Sequence, residues 1–204
     1  LALAVLTATA LASAVPDVAE TTLDNGLKVL VLEDHRSPVV SVQMWYRVGS
    51  RNELPGATGL AHFLEHMMFK GTPTRGKGEF SRLVEQNGGQ DNAFTTQDVT
   101  SYYANLAADK VDLALALEAD RMRNLLLDPK EIDSERQVVM EERRTRTEDD
   151  PDGLLSEEMN SLAFKAHPYR WPVIGWMEDI RRINPGELRA FYDTYYRPNN
   201  AILL

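Results

Sequence analysis

Cysteine is absent from the 204-residue sequence. Its absence excludes disulfides and every cysteine-ligated metal site, so a bound metal would have to be held by His, Asp or Glu. An excess of positive charge is absent as well. Lys and Arg number 22 against 31 Asp and Glu, for a formal net charge of −9. Binding a phosphate backbone needs the opposite balance, so no nucleic-acid partner is expected. There is also no apolar run of the roughly 20 residues needed to cross a bilayer. The apolar opening stretch, "LALAVLTATALASA", is shorter than that. It is uncharged and ends in Ala12-Ser13-Ala14, the small-residue pattern of signal-peptide cleavage, but has no initiating Met or basic leader. Residues 1–15 therefore read as the remnant of a signal peptide. They predict bacterial-type export, to the periplasm or outside the cell, and no stable membrane anchor.

What remains is ordinary globular sequence, 43% hydrophobic and 26% charged. Its length suits one generous domain, expected over residues 16–204. "TTLDNGLKVLVLED" reads as a β-hairpin around Asp24-Asn25-Gly26. Further strands are expected at 39–48, 90–97 and 99–106, and one begins in "NAILL" at the end. Helices are expected near 58–70, 78–87, 108–126, 129–149 and 152–164, and from Pro185 behind an Asn184 N-cap. Residues 166–176 read as a Pro- and Trp-rich loop. Strands and helices do not alternate regularly. The expected class is α+β, with a mainly antiparallel sheet of about five to six strands and helices packed against it.

Four histidines are present, and two of them sit four apart in "GLAHFLEHMMFKGT". On a helical wheel at ~100° per residue, His66 falls about 40° from His62 and Glu65 at about 300°. Leu60, Phe63, Leu64, Met67 and Met68 occupy the opposite face, which should be buried. Imidazoles at this spacing reach one zinc ion, and Glu65 is one step out of their row, able to meet a water on the metal. The H-x-x-E-H order would arise by chance in well under ~1% of chains of this composition. His35 and His167 have no partners at ligand spacing and read as loop and turn residues.

A catalytic zinc site needs a third protein ligand, which must here be a carboxylate. The expected helix 129–149 offers Glu135 and Glu142, which share one face, and Glu141, about 100° away from them. Spacing alone does not choose among the three.

The inverted H-x-x-E-H order and its surroundings resemble the pitrilysin/insulinase family of inverzincin zinc metallopeptidases, in particular its processing-peptidase β-subunit-like members. The resemblance rests on the histidine helix, the N-terminal hairpin, "VGSRNE" before that helix, "ERQVVMEE" at 135–142 and "YYRPNNAILL" at the end. It runs from about residue 20 to the last residue. It implies the first half of a clamshell metallopeptidase, with one Zn2+ per chain on His62, His66 and Glu142. It also implies Glu65 as general base and Glu135 as the residue that orients the site. "GGQDNAFTTQDVTSYY" resembles the family's substrate-pairing edge strand, with Asn92, Ala93 and Thr95 on its N-A-x-T pattern.

The implied activity is hydrolysis of extended, unfolded peptides. The implied partner is a second homologous domain, or a partner chain, that closes the clamshell and brings an Arg-Tyr pair to the substrate. The resemblance places the end of the final strand and that second domain beyond residue 204. The alternative is a zinc-retaining but inactive subunit for peptide binding or assembly, dependent on a partner half.

Overall fold

The strand-forming runs assemble into one six-stranded sheet in a computed structural model that describes residues 17–204. The segment read as a signal-peptide remnant lies outside the described residues. The strands are β1 (Val18–Thr22), β2 (Lys28–Leu32), β3 (Val39–Tyr46), β4 (Gln90–Thr95), β5 (Thr100–Ala107) and β6 (Ala201–Leu203). Their order across the sheet is β1-β2-β6-β3-β5-β4. All neighbours are antiparallel except β2 and β6, where Lys28 faces Ile202. The chain is thus α+β with a predominantly antiparallel sheet. The Asp24-Asn25-Gly26 turn joins β1 to β2, with Gly26 at φ 87° as such a turn requires.

Burial alternates along the central strands, as it must when one face packs on helices and the other does not. Val42, Met44 and Tyr46 of β3 and Tyr102, Ala104 and Leu106 of β5 are buried, while Gln43 and Trp45 face the other way. The covering helices are α1 (Leu60–Met67), α2 (Glu79–Gln86), α3 (Val111–Asn124), α4 (Pro129–Arg143), α5 (Pro151–Ala163), α6 (Met177–Arg182) and α7 (Pro185–Tyr195). Helix starts follow local chemistry. Asp128 caps α4 through the Lys130 N–H at 2.8 Å, and Asn184 and Glu187 form a reciprocal capping box on α7 at 3.0 Å each way. Beyond α4 the chain continues as a π-helical turn, Arg144–Glu148, which absorbs the rest of the expected 129–149 helix. Helix α6 falls just past the segment read as a loop. At six residues it is too short to show a helical period.

Helix α1 is the most deeply set. Leu60, Phe63, Leu64, Met67 and Met68 are all buried, the stripe expected from the wheel, and they share one core with Ile132, Val139 and Met140 of α4. Each such side chain contributes ~1.5–3 kcal/mol by leaving water. At the N-terminus of α1, two glycines sit back to back. Gly59 has φ 88° and Gly175 φ 89°, and a Cβ on Gly175 would lie 2.6 Å from the Gly59 Cα. Neither the backbone conformation nor the space admits a side chain.

Gly175→Ala is therefore expected to lower the unfolding free energy by about 1–3 kcal/mol. Urea denaturation of the variant checks this, and an unchanged midpoint would show that the two backbones can separate without cost.

Candidate metal centre

Two buried carboxylates grip the start of α1. Glu53 accepts from the Gly59 and Ala61 N–H groups at 2.8 Å each. Asp179 of α6 accepts from the Thr58 N–H at 3.2 Å and from its hydroxyl at 2.7 Å. The Gly59 and Ala61 N–H groups belong to the first helical turn, where no backbone carbonyl is available to them. Burial raises the Glu53 pKa to about 8, against the two amide donors that favour its charged form.

One turn further along, α1 presents both imidazoles to α4. His62 Nε2 lies 3.6 Å from Glu142 Oε2, and His66 Nε2 lies 3.4 Å from the same oxygen. Zinc bonds of 2.0–2.1 Å at tetrahedral angles separate neighbouring donor atoms by about 3.3 Å, so these two separations fit a shared ion. One donor atom from each of His62, His66 and Glu142 lies within 4.8 Å of the others. Two borderline nitrogen donors and a carboxylate oxygen form a donor set suited to zinc. Glu141, left open by spacing, points outward. Its side chain is 68% exposed and pairs with Arg144 at 2.7 Å.

The other oxygen of Glu142 is 2.8 Å from the Arg146 guanidinium, and His66 Nδ1 donates to Glu135 Oε1 at 2.8 Å. The second Glu135 oxygen meets Lys70. His66 is thereby locked in orientation with Nε2 free to face inward. His62 Nδ1 is buried without a hydrogen-bond partner among the described residues, so packing alone sets that ring. Charges follow the contacts. Burial disfavours a proton on His66, but the Glu135 and Glu142 carboxylates outweigh it and hold its pKa up at about 9. Burial and the neighbouring His66 push His62 down to about 4. His66 holds Glu142 below the ordinary carboxylate range. Burial works to raise Glu135, and His66 and Lys70 more than offset it.

Glu65 sits beside this group, and burial raises its pKa. Its carboxylate accepts a hydrogen bond from Thr95 Oγ1 at 2.5 Å. His62, Glu65, His66 and Glu142 form one wall of an open cavity of about 1180 Å³. The edge strand β4, with Asn92, Ala93, Phe94 and Thr95, forms another, and Val138, Pro172, Val173 and Ile174 add an apolar side. His35 is exposed beside Glu33, and His167 caps the Tyr169 N–H, both away from the cavity. Sequence reading missed Glu53, Lys70, Arg146 and Asp179. Arg146 lies four residues past Glu142, so helical spacing could have flagged it. Lys70 and Asp179 have partners far away in the chain, and Glu53 reaches α1 across a loop with no fixed period.

At neutral pH, a zinc ion bound by these residues would have to displace the His66 proton. Calorimetry in buffers of different ionisation enthalpy should show release of about one proton, with apparent affinity rising with pH until about 9. Glu135→Gln should weaken zinc binding by about 10–100-fold, Glu142→Gln by more, and Glu141→Gln hardly at all. Equal effects of the Glu141 and Glu142 variants would exclude this ligand set.

Residues 28–175 match the family described as Insulinase (Peptidase family M16). The chain is 41% identical over 193 residues to "Zinc protease PqqE" of Helicobacter pylori, covering 94% of this chain and 44% of that protein. It is 32% identical over 182 residues to "Uncharacterized zinc protease YmxG" of Bacillus subtilis, with 89% and 44% covered. Among solved structures it superposes on a protease from Helicobacter pylori with a TM-score of 0.91 at 41% identity, covering 93% of this chain and 46% of the other. It also superposes on the periplasmic protease PqqL from Escherichia coli with a TM-score of 0.84 at 28% identity, covering 94% and 22%. The chain thus spans less than half the length of these relatives. On the breadth of the match and the identity to its relatives, the chain belongs to the insulinase family of peptidases, M16.

Proposed function

We propose that residues 16–204 form the catalytic N-terminal domain of a zinc-dependent endopeptidase that hydrolyses extended, unfolded peptides. The observation that carries this reading is the convergence of His62, His66 and Glu142 beside a half-buried Glu65, in a cavity bordered by an edge strand. His62, His66 and Glu142 would hold one Zn2+ per chain, and Glu135 keeps His66 turned toward it. When bound, zinc would lower the pKa of a water toward ~7 and polarise the scissile carbonyl. Glu65 is the base that takes a proton from the attacking water and returns it to the leaving amine. Burial brings its pKa toward the working range of such a group.

Strand β4 is at the sheet edge, with no strand on its outer side among the described residues. A peptide can add there through main-chain hydrogen bonds along Asn92, Ala93 and Thr95. That mode requires an extended chain. The apolar wall opposite gives side chains of the peptide a surface to bury. The open cavity calls for a cover, which a second homologous domain or a partner chain would provide. A periplasmic or secreted location agrees with that of the structurally similar periplasmic protease PqqL from Escherichia coli. No helix among the described residues is long and apolar enough to cross a membrane.

In the full-length protein, Glu65→Gln should retain zinc and lose turnover of an unstructured peptide by 10²–10⁴-fold, on the order expected for a general base. His62→Ala should lose the metal, and a chelator should abolish cleavage by the unmodified protein. Zinc retention without chelator-sensitive cleavage in the unmodified protein would instead identify an inactive peptide-binding or assembly subunit. Wild-type cleavage by Glu65→Gln would overturn the role of Glu65.

A further inference from the structure

Thr95 ends β4, and its side chain faces α1. Ala93, two residues earlier on the same face, packs against the core. Thr95 Oγ1 donates to Glu65 Oε2 at 2.5 Å. No other hydrogen-bond donor or cation contacts the Glu65 carboxylate among the described residues. A threonine hydroxyl has one proton to give. Thr95 gives it to Glu65. Thr100, opposite Thr95 in the β4–β5 register, is fully buried and gives its own proton to the Val48 carbonyl at 3.0 Å. The two hydroxyl oxygens lie 3.4 Å apart. Thr95 therefore has no proton left for a peptide in the cavity.

The two ends of this hydrogen bond differ in rigidity. Glu65 is a long side chain on a helix surface, with several rotamers open to it at a cavity wall. Thr95 is β-branched, with a restricted χ1, on a strand paired to β5. It stands at the root of a tight turn closed by the Thr96 N–H to Val99 carbonyl bond at 2.8 Å. The fixed partner sets the position of the mobile one.

We infer that Thr95 is a positioning residue: its hydroxyl proton is committed to the Glu65 carboxylate, which it aligns for proton transfer, and is not donated to the peptide. The strand that docks the substrate thus also holds the base, so docking and alignment share one rigid element. This rests on the peptide-hydrolysis reading above.

The test compares wild type, Thr95→Val, Thr95→Ala and Thr95→Ser in the full-length, zinc-loaded protein with a fluorogenic extended peptide. Thr95→Val and Thr95→Ala should lower kcat about tenfold or more while KM and zinc content stay within about twofold, and Thr95→Ser should restore most of kcat. A second measurement needs no turnover. In the Glu65→Gln background, adding Thr95→Val should leave the dissociation constant of the uncleaved peptide within about twofold, by fluorescence anisotropy. A raised KM with kcat kept, weaker peptide binding in the double variant, or failure of Thr95→Ser to restore kcat would each overturn the inference. Wild-type cleavage that survives chelation, or that Glu65→Gln does not impair, would instead overturn the peptidase reading. Wild type and Glu65→Gln thus report on that reading separately from the Thr95 series.

Discussion

The spacing between α1 and α4 is the constraint on which the site depends. Two histidines on one helix and a glutamate on another must converge to within a few ångströms, and direct packing of Phe63, Leu64 and Met67 against α4 supplies only part of that alignment. The segment running from the loop at Gly175 into α6 brackets the two helices. Asp179 holds the Thr58 backbone and side chain at the start of α1, and Gly175 abuts Gly59. From the other side, Arg136 donates to the Ile180 carbonyl at 2.7 Å. Arg143, next to Glu142, donates to the Gly175 carbonyl at 2.9 Å. A shift of either helix would break hydrogen bonds of buried groups, which costs more than the bonds themselves contribute.

Within that bracket, the carboxylates are sorted by the company they keep. Glu135 lies between Lys70 and His66, and Glu142 between Arg146 and both imidazoles. Cationic partners hold both of them ionised, which suits a residue that orients a ligand and one that accepts a metal. Glu65 has a neutral hydroxyl as its hydrogen-bonding partner, and burial raises its pKa. The general base proposed for Glu65 would need that less committed state. Glutamates on two adjacent helices thus receive different chemistry from their neighbours.

Much of this was legible in the residue pattern. The apolar stripe of α1 showed which face is buried, because burial of one side imposes a fixed period on a helix. Asn184-Pro185 and Pro129 marked helix starts, because such signals act within one turn of chain. What escaped was non-local or too short. Helix α6 has no room for a period, and Asp179 has meaning only beside Thr58, far away in the chain. The conversion of α4 into a π-helical turn at Arg144 is likewise invisible in composition.

The sequence by itself determined the chemical inventory: a cysteine-free, acidic chain with two histidines and a glutamate on one helical stripe. Local periodicity sufficed, since i and i+4 meet wherever a helix forms. Residue spacing left Glu135, Glu141 and Glu142 open, and the tertiary structure turned Glu142 toward the Nε2 atoms of both histidines, Glu135 toward His66 Nδ1 and Glu141 outward, because that depends on how α4 is rotated against α1. It also turned Thr95 toward Glu65, because strand register, not residue type, decides which face a side chain occupies.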